Sequence, residues 1–145
     1  GNRALDIVLM EKALFCKNHD ICWTCMADGE HLDFMRVEDI YAIFGNALDN
    51  AITAVMKVTD PDKRVVSTKL IIQSDLMVIQ VQNYYEGKLQ FEKGLPLTTK
   101  KNKADHGYGM KSIRYTAEKY NGTITVQTKN QIFMLQILIP VPNSA

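Results

Sequence analysis

The chain has 145 residues, with 17 Lys and Arg against 16 Asp and Glu, 46% hydrophobic residues and three cysteines. That length fits one domain burying about two-thirds of its unfolded surface, enough for a core without disulfide or metal staples. A formal net charge of +1 argues against a nucleic-acid scaffold. No apolar run approaches the ~20 residues needed to cross a bilayer. The odd cysteine count and the lack of a basic-then-apolar leader point to a reducing, cytoplasmic setting.

Residues 3–18 place Leu5, Val8, Leu9, Phe15 and Cys16 at helical spacing, with Asn2 available to cap the first turn. Ile21–Met26 reads as a short strand, and Trp23 as a core residue. The spacing over 37–58 predicts the main helix, with Tyr41, Phe44, Leu48, Ala51, Ile52 and Val55 on its apolar stripe. Asp60-Pro61-Asp62 stops it, because proline excludes the preceding residue from the helical region.

Two strands, 65–73 and 76–83, follow at the spacing of a tight hairpin. Residues 84–107 show no sustained period and read as a loop of about twenty residues, of the length that is either functional or disordered. A helix over 110–120 ends at Asn121-Gly122, and a second hairpin, 123–129 with 132–139, closes the chain. This order predicts one layer of helices on a mainly antiparallel sheet, an α/β sandwich.

Three segments could carry chemistry. Asn46 and Asn50 are four apart, so their carboxamides stack one turn above each other on one helix face. Amide oxygens are hard ligands suited to Mg²⁺; the alternative is that both simply hydrogen-bond neighbouring loops. His106-Gly107-Tyr108-Gly109-Met110 is expected where the long loop enters a helix. Glycines there admit an anion close to free helix N–H groups, though glycine is also common in turns before helices. The loop suits a polyphosphate, because residues 86–111 hold six lysines against three acidic residues. Asn83-Tyr84-Tyr85-Glu86-Gly87 leaves a strand end, either as ordinary turn chemistry or as a donor and acceptor for a base edge.

Cys16, His19, Cys22, Cys25 and His31 include a C-x-x-C. Residues three apart on a strand point to opposite faces, so a zinc site is not expected there.

In order, N-A-L-D-N-A at 46–51, N-Y-Y-E-G at 83–87, Thr98-Thr99-Lys100 and H-G-Y-G-M at 106–110 resemble the GHKL ATP-binding family. Gyrase, MutL, chaperone ATPases and sensor histidine kinases belong to that family. The opening G-N-x-x-L-D-x-V-L-x-x-K and the closing K-Y-N-G-T-I are similar to quorum- and peptide-sensing histidine kinases of AgrC type.

The resemblance implies a single Bergerat-type ATP-binding domain over 1–145, with helix 1–18 compatible with the tail of a dimerising helical domain. It implies that Asn50 holds Mg²⁺ bridging the phosphates of ATP, with Asn46 one turn earlier. In hydrolysing relatives the earlier position is a glutamate that activates water. An amide cannot take that proton, so Asn46 suits transfer to a histidine. Asn83 and Gly87 correspond to the base-reading box, where Asn replaces Asp and Tyr85 replaces a glycine. Thr99, Lys100 and His106 fall in a lid over the triphosphate, about 86–107, and Gly107 and Gly109 flank the phosphates, with Lys100 beside Asn46 as a catalytic residue.

The acceptor histidine is expected outside this fragment, in a dimerisation domain of a membrane-anchored, dimeric parent that passes the phosphoryl group to a response regulator. The rival expectation is a nucleotide-binding pseudokinase or an anti-sigma-like interaction module without transfer. A GHKL hydrolase is disfavoured by Asn46.

Overall fold

The computed structural model describes residues 2–92, 94–97 and 103–142, excluding the side chains of 90–92, 96–97 and 103–108. Helix α1 (Arg3–Asn18) opens the chain, and the Asn2 side chain accepts from Leu5 N at 3.0 Å as its cap. Its inner face buries Ala4, Leu5, Val8 and Cys16. Phe15, expected on that face, is exposed and stacks on His19. Position 15 lies about 100° from Cys16 around the helix, so the two cannot share one seam.

Strand β1 (Cys22–Ala27) is an edge strand that runs parallel to β2 (Val65–Gln73). Cys22 and Cys25 are exposed. Trp23 is half-buried rather than central, and its Nε1 donates to Thr68 Oγ1 at 2.8 Å. An edge strand has a neighbour on one side only, which leaves the indole one flank in water.

The main helical path runs as α2 (Val37–Ile40), a π-helical turn over Tyr41–Gly45 and α3 (Asn46–Met56). Phe44, Leu48, Ala51, Ile52 and Val55 are buried as their spacing predicts, whereas Tyr41 is exposed. The extra residue of a π turn shifts the register within one turn, and such turns often sit beside functional positions. After a 3₁₀ turn at Pro61–Lys63, β2 and β3 (Leu76–Tyr84) pair through a tight turn at Ser74, where φ is +54°.

The expected structureless loop is partly ordered. A short hairpin of β4 (Gln90–Glu92) and β5 (Leu95–Leu97) precedes α4 (Lys103–Lys119), which starts seven residues earlier than its apolar pattern predicts. Polar helix formers carry no periodic apolar signal, so the first two turns were invisible to that reading. Asn121, at φ +60°, ends α4, and Gly122 N donates to Ala117 O at 2.8 Å. Strands β6 (Thr123–Lys129) and β7 (Ile132–Pro140) then complete a five-stranded sheet in the order β1-β2-β3-β7-β6, antiparallel except at β1–β2.

Met77, Ile79, Val81 and Asn83 of β3 alternate onto the helix-covered face and are buried there, beside Leu135 and Ile137 of β7. On the other face the half-buried Gln80 donates across register to Gln136 Oε1 at 2.9 Å. Each fully buried Leu, Ile or Phe contributes roughly 1.5–3 kcal/mol of transfer free energy. The seam of α4, Met110, Ile113 and Ala117, closes the layer at i, i+3, i+7 spacing.

Candidate functional site

The amides fall where the helical path leaves its π turn. Asn46 opens α3, and its Nδ2 donates to Ala42 O at 2.7 Å, back along its own helix. That bond fixes the carboxamide, so Oδ1 points the other way, toward α4. A β-carbon on Gly109 would stand 3.4 Å from that oxygen. Asn50 follows one turn on, and among the described residues its carboxamide has no hydrogen-bond partner.

Asn46, Asn50 and Thr53 of α3 form one wall of a cavity of about 660 Å³, with Gly109 and Met110 of α4 at its edge. The facing wall is the C-terminal half of α1, with Lys12, Phe15 and His19. Cavities of roughly 300–1,000 Å³ with apolar walls and a few polar groups are typical of small-molecule sites. Lys12 Nζ donates to Asp49 Oδ1 at 2.6 Å and to Glu11 Oε1 at 3.3 Å, tying α1 to α3 at the rim. Burial works against its charge, but the bond to Asp49 outweighs this and its pKa is raised. The His19 ring lies parallel to Phe15 at 3.8 Å, with Nδ1 2.8 Å from Phe15 O.

The structure thus brings Asn46, Asn50 and Gly109 together. Thr99 and Lys100 lie outside the described residues, and the backbone of His106 and Gly107 falls within α4. The expectation that the G-x-G marks the junction of loop and helix is corrected. Gly107 and Gly109 sit past the first turn of α4, where a helical N–H is already committed to the carbonyl four residues back. Gly109 therefore offers no free donor; lacking a β-carbon, it leaves Asn46 Oδ1 uncovered where a methyl would sit in ordinary contact with it.

Asn83 is not among the cavity's walls. It lies inside β3, between Val66 of β2 and Phe133 of β7, and is buried on the helix-facing side. Its Nδ2 donates to Tyr84 O at 2.9 Å, while among the described residues Oδ1 is buried with no partner. A buried acceptor without a donor is costly and fits a site awaiting one.

The segment after Asn83 is clamped from two sides. Thr59 donates to Glu86 Oε1 through its backbone N–H at 2.7 Å and its hydroxyl at 2.8 Å, and these bonds hold the Glu86 carboxyl below the usual range. Gln131 Nε2 donates to Tyr85 O at 3.1 Å and to Gly87 O at 3.3 Å. Gly87 has φ +89°, a conformation that side-chain-bearing residues rarely adopt.

Two carboxamides one helical turn apart on a cavity wall supply the neutral oxygen type that a hard divalent cation takes, with remaining positions left to water or ligand oxygens. The donor chemistry of Asn46 and Asn50 therefore fits Mg²⁺. Composition and periodicity did not single out the α1 wall; its only signal was the lysine closing the G-N-x-x-L-D-x-V-L-x-x-K motif.

A family profile described as the GHKL domain matches residues 35–140. No curated protein matches the chain. Among solved structures, the catalytic domain of histidine kinase ThkA superposes with a TM-score of 0.70 at 20% identity, covering 97% of this chain and 91% of that one. A second, nucleotide-free form of the same domain gives 0.69 at 18% identity, covering 97% and 92%. The Acinetobacter baumannii histidine kinase AdeS gives 0.64 at 13% identity, covering 97% of this chain and 64% of that one. At these identities the structural likeness speaks for the fold. That fold, a five-stranded, mostly antiparallel sheet under helices, is the GHKL one.

Proposed function

The chain belongs to the GHKL family, and on that premise we propose that it is the ATP-binding catalytic domain of a sensor histidine kinase of the peptide-sensing, AgrC-like kind. In this reading it transfers the γ-phosphoryl group of Mg·ATP to a histidine outside the fragment, in two-component signalling. The observation that carries the reading is the meeting of Asn46, Asn50 and Gly109 at one cavity.

Asn50, supported by Asn46, would hold Mg²⁺, which supplies charge neutralisation to the phosphates when bound. The chain's own residues position the substrate. The orphaned Asn83 oxygen accepts from an exocyclic amino group of the base. The Glu86 and Gln131 clamps keep the strand exit in place. Lys100 and Thr99 act from the lid with His106, and Gly107 continues the approach to the phosphates that Gly109 begins. Asn46 takes no proton, so water is not activated and the phosphoryl group is kept for its acceptor. The partners are the acceptor-histidine dimerisation domain and, through it, a response regulator on the cytoplasmic side of a membrane-anchored parent. No helix among the described residues is long and apolar enough to cross a membrane.

Equilibrium binding of ATP with and without Mg²⁺, followed by radiolabel transfer to a separately supplied acceptor-histidine domain, tests this. Tight Mg-dependent binding and an acid-labile labelled acceptor are expected; no ATP binding overturns the reading. A pseudokinase or interaction module is the second reading, favoured by Tyr85 at a glycine position of the base-reading box. Binding without transfer would support it.

A further inference from the structure

The nucleotide-site residues so far named lie on α3, α4, β3 and the lid, which leaves the α1 wall of the cavity without a role. Three charged side chains line the cavity among the described residues, Glu11, Lys12 and Asp49, and Lys12 is the only ammonium. Its side chain is 15% exposed, whereas the two carboxylates that hold it are 71% and 61% exposed. The cation is thus turned inward and its counter-ions outward. An ion pair kept only to fasten two helices does not need that asymmetry, since a solvated pair contributes little.

Asp49 adjoins Asn50 and lies three residues from Asn46, so the carboxamides and the Lys12 contact share one turn of α3. Lysine carries three donors, and the two carboxylates engage two of them.

We infer that Lys12 is a phosphate-positioning residue contributed by α1, which donates its remaining N–H to the polyphosphate of the nucleotide from the wall opposite α4. This rests on the ATP-binding reading above and extends it to a helix outside the two asparagines and glycines. Without the ammonium, the rim would keep only the like charges of Glu11 and Asp49 near the phosphates. With it, one of the two negative charges on the rim is offset, and the third donor meets an anion that bears more charge than either carboxylate. Asp49 then keeps Lys12 in place, but its own negative charge on the same rim repels the polyphosphate.

Their opposite charges give the two partners effects of opposite sign on polyphosphate binding, whereas a purely structural bridge would weaken with the loss of either. Calorimetric titration of the domain with ATP, ADP and AMP, each with Mg²⁺, is the test. Lys12→Ala and Lys12→Gln are expected to weaken ATP by about tenfold or more and ADP by less, and to leave AMP within about twofold. Lys12→Arg is expected to recover most of the loss. Asp49→Ala is expected to strengthen ATP binding a few-fold. Equal losses for Lys12→Ala and Asp49→Ala, or a Lys12 loss that is the same for AMP and ATP, would overturn the inference and leave only a helix tie. Wild-type protein that binds no ATP would overturn the underlying reading together with it.

Discussion

The carboxamide oxygen of Asn46 faces Gly109 across the contact of α3 with α4, with 3.4 Å to the place where a β-carbon on residue 109 would stand. The glycine lies inside α4, where alanine would be favoured by about 0.5–1 kcal/mol. Local propensity and the site therefore pull in opposite directions. Gly109→Ala is expected to leave the unfolding midpoint unchanged or raise it, while ATP affinity falls several-fold because the methyl, in ordinary contact, covers the Asn46 oxygen. Thermal melts and calorimetry on one preparation check both; a variant with normal affinity would show that the close approach is only packing.

Asn50→Ala is expected to weaken Mg·ATP binding by at least about tenfold, some 1.4 kcal/mol, whereas Cys22→Ala on the exposed edge strand is expected to have no effect. Equal affinities for the two variants would remove the metal assignment.

The Asn83 amide is held by Tyr84 O, so the oxygen is the end left to the ligand. A base presenting an amino group satisfies it, and one presenting a carbonyl does not. Asn83→Ala is expected to erode preference for ATP over GTP; an unchanged ratio would place base reading elsewhere.

Asp39, nearly inaccessible at the start of α2, accepts from Lys119 Nζ at 2.7 Å and from the Tyr120 hydroxyl, while Arg36 N donates to Tyr120 at 3.0 Å. Burial opposes its charge, but the hydrogen bonds from Lys119 and Tyr120 outweigh this and the carboxyl sits below its ordinary value. A lowered folded-state pKa means that the unfolded chain binds the proton more readily. The stabilisation is present above the unfolded value, about 4, and is lost as pH falls through the folded one. Asp39→Ala is expected to cost about 1–3 kcal/mol at pH 7, with the gap to wild type narrowing in acid. Urea denaturation at pH 7 and pH 3 measures it, and a constant gap would contradict the assignment.

Gly122 follows the left-handed Asn121 with no room for a side chain. An added β-carbon would meet Leu138 O at 2.7 Å, Ile139 Cγ1 at 2.8 Å and Ala117 O at 2.9 Å. Gly122→Ala is expected to destabilise by about 3 kcal/mol, read as a shifted denaturation midpoint.

Elements that fold on a periodic apolar pattern were legible before the structure. The path 37–56, both hairpins and the exit at Asn121-Gly122 fall where alternation, helical spacing and turn residues put them. The shared face of Asn46 and Asn50 was legible too, because four residues make about one helical turn whatever surrounds them. The first turns of α4 were not, since Lys103 to Tyr108 are helical without an apolar face of their own to announce it.

Which residues meet across the cavity was decided by tertiary structure alone. Lys12 and Asp49 are 37 positions apart and Asn46 and Gly109 are 63 apart, and no local period relates them. Their contacts arise because α1 and α4 flank α3 on one face of the sheet, where burial of their apolar seams sets which polar neighbours are left facing each other. The amino-acid order fixes what each helix offers; only packing fixes to whom.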